Sequence, residues 1–156
     1  MKTYKPVTSK FTAPCASYLY NPLFHLEATL TNAARAITNG FDFRHRDTVG
    51  KENPHPIEFD TIACTGVSGL VVAVPLAQRM GRKIVIVRKG GDGTHSANRI
   101  EANCFPHEIG KYIIVDDLTD TGKTIENIVA ALKTHAPRRT KHVATYLYDT
   151  GSLCRP

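Results

Sequence analysis

Between Glu58 and Tyr148, short and strongly apolar runs alternate with segments of helical period, and this alternation restricts the fold more than any other feature. FDTIAC, KIVIVR, KYIIV and HVATYLY read as strands, the second rich in β-branched residues and the third continuously apolar. Between them, Leu70 to Met80 closed by Gly81, and Ile125, Ile128, Val129 and Leu132 running to about His135, read as helices. Strands separated by helices of about 10–15 residues pair in parallel through right-handed crossovers. The expected fold is therefore α/β, a three-layer and mainly parallel sheet with helices on both faces. In such a sheet the ligand site lies at the carboxyl ends of the strands. Pro75 falls inside the first of these helices, where it removes a hydrogen bond and predicts either a kink or a displaced start. Residues 99–110 read as a short hairpin or strand.

Ahead of this core, Leu23, Leu26, Leu30, Ala33 and Ile37 recur at three- and four-residue steps between Asn21-Pro22 and Gly40, predicting an amphipathic helix. Phe41 to Pro56, rich in charge, His, Gly and Pro, reads as a long irregular connection. A chain of 156 residues, 42% hydrophobic and 22% charged, is expected to fold as one domain, which excludes general disorder and a fibrous rod. Residues 1–57 would supply the N-terminal helix and a small N-terminal hood, and residues 58–148 the ligand-binding core. Twenty Lys and Arg against fourteen Asp and Glu, a net charge of +6, favour an anionic partner. No apolar run approaches the ~20 residues of a membrane helix, and MKTYKPVTSK lacks the apolar stretch of a signal peptide, so a cytoplasmic protein without a membrane partner is expected. Cys15, Cys64, Cys104 and Cys154 are widely spaced and read as free thiols; the seven His show no spacing of a helical metal site.

The most informative stretch is Ile113-Ile114-Val115-Asp116-Asp117-Leu118-Thr119-Asp120-Thr121-Gly122-Lys123-Thr124, a buried strand that breaks into an acidic pair and then a hydroxyl- and glycine-rich helix start. Asp120 to Thr124 offer consecutive backbone N–H groups, two Thr hydroxyls and a helix N-terminus, the combination that cradles a phosphate. Gly122-Lys123-Thr124 matches the end of a Walker A loop, but that motif needs Gly where Asp117 stands. Two carboxylates ahead of the cradle would repel a triphosphate. They suit hydrogen bonds to vicinal sugar hydroxyls, or contact with a hydrated magnesium ion.

In this order, apolar strand, two acids and T-G-x-T, the segment resembles the phosphoribosyl pyrophosphate (PRPP) signature of the type I phosphoribosyltransferases. The resemblance implies that Asp116 and Asp117 hold the ribose hydroxyls and, through water, Mg2+, while Asp116 to Thr124 bind the ribose and 5′-phosphate. FDTIACTGVSGLVVAVPLAQRMGRKIVIVRK is similar to the segment in which the family binds pyrophosphate, so that the resemblance covers roughly residues 58–148. It implies that Thr65, Gly66, Val67 and Ser68 offer N–H groups to the pyrophosphate, with Arg88 and Lys89 supplying positive charge. Gly90 to Asn98 fall where the family keeps its catalytic flap, which would make His95 a catalytic residue. The orotate-type members carry R-K-x-x-K-x-H-G there, and this chain departs from it, with His95 one position late and Gly and Asp in place of the second lysine.

The 6-oxopurine members have an Asp at the place of Asp120, which would make it the base that takes the nucleobase proton and the acceptor a 6-oxopurine. Against that, the sequence runs only about eight residues past HVATYLY, to GSLCRP, leaving no room for the aromatic hood of those enzymes. A cover for the base would then come from Phe24, Phe41, Phe43 and Tyr18 or Tyr20. The implied partners are PRPP, a nucleobase and a second copy of the chain. A regulator that retains PRPP binding without turnover is the second reading; its nucleic-acid variant would use Arg138, Arg139, Lys141 and His142 after Pro137, a cluster that ordinarily marks a solvated turn.

Overall fold

The computed structural model describes residues 25–40, 56–89, 99–117, 121–136, 138 and 140–156. Helix α1 (Leu26–Asn39) buries Leu30, Ala33, Ala36 and Ile37 and ends where Gly40 takes φ 64°, its N–H closing back on the Ala36 and Ile37 carbonyls. The expected start at Asn21-Pro22, together with Leu23, lies outside the described residues. Strand β1 (Thr61–Cys64) leads into α2 (Gly66–Met80) and β2 (Lys83–Val87); β3 (Ile100–Ala102) follows. After one 3-10 turn at Pro106–Glu108 come β4 (Lys111–Asp116), α3 (Lys123–His135), β5 (Lys141–Leu147) and β6 (Ser152–Cys154).

The six strands form one sheet in the order β3-β2-β1-β4-β5-β6. β1, β2, β4 and β5 are mutually parallel, as expected from the helices between them. The two edges differ from that expectation, since β3 and β6 both pair antiparallel to their neighbours. β6 follows β5 after the short turn at 148–151, so there the chain simply turns back. The tail after HVATYLY thus adds an edge strand at Ser152–Cys154, which three residues of mixed polarity did not announce.

Helices cover both faces. Ile62 and Cys64 of β1, Ile113 and Val115 of β4, and Ala144 and Tyr146 of β5 turn to the side of α1 and α2, where they meet Ile37, Val72 and Leu76. Ala63, Val85, Tyr112 and Ile114 turn to the other side, under Ile128 and Leu132 of α3. Alternation within one apolar strand thus feeds two cores, which explains why KYIIV has no polar face. α1 packs into this layer, where Arg79 of α2 donates hydrogen bonds to Glu27 and Thr31 of α1; the rest of residues 1–57, apart from 56 and 57, lies outside the described residues.

α2 begins at Gly66, one turn before the expected Leu70, so TGVSG is the helix start itself. It runs for 15 residues with Pro75 in its interior. An interior proline costs about 3 kcal/mol, and complete burial of Val72 and Leu76, each worth about 1.5–3 kcal/mol, offsets it. Among the described residues, no helix is long and apolar enough to cross a membrane.

Candidate functional site

β1 sits between β2 and β4, and the chain leaves it toward β2 through α2 but leaves β4 toward β5 through α3. The connections diverge between β1 and β4, opening a crevice at their carboxyl ends.

One wall is the start of α2. Thr65 is extended (φ −143°, ψ 153°) and buried, and its hydroxyl donates across the sheet to the Val87 carbonyl instead of capping the helix. The first N–H groups of α2 therefore face the crevice without an N-cap side chain over them, the arrangement that attracts an anion. Gly66 adopts φ 64°, and a Cβ there would stand 3.2 Å from Cε and Nζ of Lys89. The lysine thus lies directly over the helix start. At Gly69 a Cβ would meet the Cβ of Cys64 at 3.1 Å and the Val115 carbonyl at 3.3 Å. The absence of a side chain lets α2 come this close to β1 and β4 without displacing them, and it sets the helix beside the Asp116 carboxylate. The carbonyl of Ser68 accepts a 3.0 Å hydrogen bond from the Tyr148 hydroxyl, tying the helix start to the end of β5. Val67 is exposed.

The second wall is the end of β4. Asp116 is buried, and its Oδ1 accepts the Asp117 N–H at 3.0 Å. Burial, then the adjoining Asp117 carboxyl, pushes Asp116 up to about 7, against a smaller opposing pull from Lys89. The strand pairing continues past β4, with Tyr148 donating to the Asp116 carbonyl and Asp149 to that of Asp117. A third carboxyl, Asp149, is thereby brought alongside the pair; partial desolvation and then Asp117 raise it above its ordinary value. Cys64, at the end of β1, is pushed up to about 12 by burial and then by the charge of Asp116, so its thiol stays protonated.

The third element is the start of α3. Gly122 takes φ 72°, and the Thr121 hydroxyl accepts the Lys123 N–H at 3.4 Å. Again no N-cap side chain covers the helix end. A cavity of about 260 Å3 brings Thr65, Arg88 and Lys89 together with Thr124 over a floor of Val87 and Ile128. Arg88 also reaches Glu101 on β3, at 3.6 Å, and its N–H donates to the Arg99 carbonyl.

Two of the residues lining this cavity, Arg99 and Asn127, had no signal in the sequence reading. Asn127 stands three residues after Thr124 and so shares its helix face, which the helical period could have revealed. Arg99 reaches the site because β3 turns back on β2, and no local pattern encodes that. Tyr148 and Asp149 stand at the end of HVATYLY and just beyond it, where the local sequence carries no site signal. Leu118, Thr119, Asp120 and His95 lie outside the described residues, as do Tyr18, Tyr20, Phe24, Phe41, Phe43 and Arg139.

Chemically, the crevice sets two helix N-termini and a cationic wall opposite an acidic pair, Asp116 buried and Asp117 half-buried. It suits an anion that also carries hydroxyl groups. Among the described residues no three His, Cys, Asp or Glu converge as a metal cage. Two adjacent carboxylates alone match the demand of Mg2+, which keeps several waters and takes oxygens from a bound phosphate.

A family model described as phosphoribosyl transferase domain matches residues 32–152. The orotate phosphoribosyltransferase of Sinorhizobium medicae (strain WSM419) is 28% identical over 92 residues, 59% of this chain and 39% of that protein. Among solved structures, an orotate phosphoribosyltransferase from Aeropyrum pernix aligns with a TM-score of 0.56 at 17% identity, over 83% of this chain and 61% of that one. An adenine phosphoribosyltransferase from Thermoanaerobacter pseudethanolicus ATCC 33223 aligns with a TM-score of 0.50 at 18% identity, over 81% and 72%. The structural likenesses are likenesses of fold, and the chain spans about two fifths of the length of the curated relative it matches.

Proposed function

Because the chain belongs to the phosphoribosyl transferase domain family, we propose that it transfers the 5-phosphoribosyl group of PRPP to a ring nitrogen of a nucleobase and releases pyrophosphate. One observation carries the reading: the acidic pair of buried Asp116 and half-buried Asp117, two helix N-termini without N-cap side chains and the Arg88-Lys89 wall meet at a single switch point.

In this reading Asp116 and Asp117 accept hydrogen bonds from the ribose hydroxyls. The helix start from Thr121 to Thr124, continuing Leu118, Thr119 and Asp120, receives the 5′-phosphate, and Thr65 to Ser68 with Arg88 and Lys89 receive the pyrophosphate. Arg99 adds to that cationic side. The bond from C1′ to the pyrophosphate oxygen breaks with its electron pair going to the leaving group, and the base nitrogen forms the new bond to C1′. The chain's part is to position these groups and to hold charge where it develops. Mg2+, held through water by Asp116 and Asp117, would supply charge neutralisation for the departing diphosphate. His95 belongs to the flap in this reading.

We assign the acceptor as a 6-oxopurine, whose proton Asp120 would take; the support is the position of Asp120 in the sequence. The relatives named above are orotate and adenine enzymes, which makes the acceptor the point to test. Pyrophosphate release would be measured from magnesium-PRPP with adenine, guanine, hypoxanthine, xanthine, uracil and orotate offered singly. Release with guanine, hypoxanthine or xanthine is the expected outcome. Release with orotate or adenine alone would overturn the acceptor assignment and keep the transferase. Failure to bind PRPP would overturn both.

A further inference from the structure

The end of the sheet opposite the crevice is built on lysines. β4 and β5 both begin with one, and their parallel register sets Lys111 directly beside Lys141, on strands about 4.8 Å apart. Like charges placed side by side on neighbouring strands are destabilising. Glu58 pairs with the Lys111 ammonium at 3.0 Å and the Asp60 carboxylate accepts the Lys111 N–H, whereas among the described residues no carboxylate pairs with Lys141. β6 runs back along β5, with Cys154 opposite Thr145, and so returns the chain to this end and adds Arg155. Between these groups lies a cavity of about 460 Å3, walled on its apolar side by Ile57 and Val143.

The apolar wall has its own structural device. Tyr112 pairs with His142 but the next residue, Ile113, pairs with Ala144, so Val143 is an extra residue bulging from β5. Bulges are rare between parallel strands and re-aim side chains. Here His142 is held within the fold, its ring 5.5 Å from that of Tyr112 and its Nε2 bonded to the Ala144 carbonyl and the Thr145 hydroxyl. Val143 is left to line the cavity.

We propose that this cavity is a second binding site, for a small phosphorylated metabolite of mononucleotide size, whose phosphate is held by Lys141 and Lys111 and whose planar or apolar body rests on Ile57 and Val143. Its volume lies in the range of small-molecule sites, and a bound phosphate would give Lys141 the anionic partner that no carboxylate among the described residues supplies. Five residue steps of β4 separate it from Asp116, about 16 Å, so it is distinct from the crevice and does not rest on the function proposed for that crevice.

The test titrates the full chain with AMP, inorganic phosphate and adenosine separately, followed by backbone-amide NMR. AMP is expected to shift the amides of Lys111, Lys141 and Val143; inorganic phosphate should compete, and adenosine should leave them unmoved. Lys141→Glu should weaken the AMP response at these amides by about tenfold or more, and Lys141→Ala, which leaves the exposed strand start neutral, by less. Thr124→Asp, which places a carboxylate in the crevice, should leave it unchanged. No shift at these amides with millimolar AMP would overturn the proposal. So would a response abolished by Thr124→Asp but not by Lys141→Glu, since the ligand would then sit in the crevice. Binding of a single-stranded oligoribonucleotide with steep salt dependence, in the absence of any AMP response, would overturn it in favour of a polyanion surface. AMP shifts that persist in a chain unable to bind PRPP would support this site while sinking the transferase reading.

Discussion

At the amino ends of the parallel strands the protein answers its own polar groups. Asp60 donates its backbone N–H to the Lys111 carbonyl and accepts the Lys111 N–H on its carboxylate, while Lys83 donates to the Glu108 carbonyl and Thr61 to that of Ile109. At the carboxyl ends the same strands run into two helix starts without N-cap side chains and into a buried carboxyl held near neutrality. The contrast shows where stability has been given up: helix N-termini that face an opening and an acid that resists ionisation are costs a purely structural end avoids. The lower end keeps its charge on lysine tips, above a backbone that is already paired. Recognition there would depend on side chains and salt, whereas recognition at the upper end would depend on fixed backbone dipoles.

The largest effect is expected at the upper end. Asp116→Asn combined with Asp117→Asn should lower PRPP affinity by about 100-fold or more, since charged hydrogen-bond partners are lost at two positions. Calorimetry reads this, and unchanged affinity would remove the acidic pair from the site. Gly69→Val should cost about 1–3 kcal/mol by forcing side-chain atoms against Cys64 and the Val115 carbonyl, seen as a Tm lower by roughly 3–10 °C. PRPP affinity should fall with it because the start of α2 is displaced from Asp116.

Acidification sharpens the comparison, because the two ends respond with opposite sign. Asp116 rises from 3.8 unfolded to about 7 folded, so its charge destabilises the fold fully above pH 7, less as pH falls, and not at all below 3.8. Asp116→Asn alone should therefore raise stability at pH 8, by about 1 kcal/mol or more, and the gain should vanish by pH 4. At the other end, burial lowers His142 from 6.5, against a smaller opposing pull from its bond to Ala144. The unfolded chain then takes the proton first, and His142 withdraws stability as pH drops below 6.5. His142→Gln should flatten that acid limb in thermal melts recorded between pH 8 and 5, where Asp116→Asn steepens it. The smallest effect belongs to Glu58→Gln. Loss of its exposed pair with Lys111 should change stability by less than about 1 kcal/mol while strengthening AMP binding in the lower cavity.

Much of the crevice was legible because its signals are local. A strand of KYIIV followed by two acids and T-G-K-T places its carboxyls at a strand end and its threonines at a helix start whatever surrounds them. Thr65 to Ser68 were legible as a pyrophosphate segment but not as the first turn of a helix, since the burial of Val72 and Leu76 that carries α2 through Pro75 is tertiary. Arg99 could not be assigned to the site at all, because it arrives through the antiparallel return of β3. The +6 charge was read as a preference for anions without a location; register alone placed Lys111 beside Lys141.

The chain's own pattern determined the alternation of strands and helices, the double-sided burial of β4, and the chemistry at the end of that strand. Those properties follow from side-chain period and backbone geometry over a few residues. Tertiary structure decided which strands became edges, that α1 joined the α2 face, that Gly69 let α2 approach the acidic pair, and that Val143 bulged from β5. Each depends on contacts between residues far apart in sequence, where packing and strand register, rather than local propensity, select among conformations that the sequence alone permits.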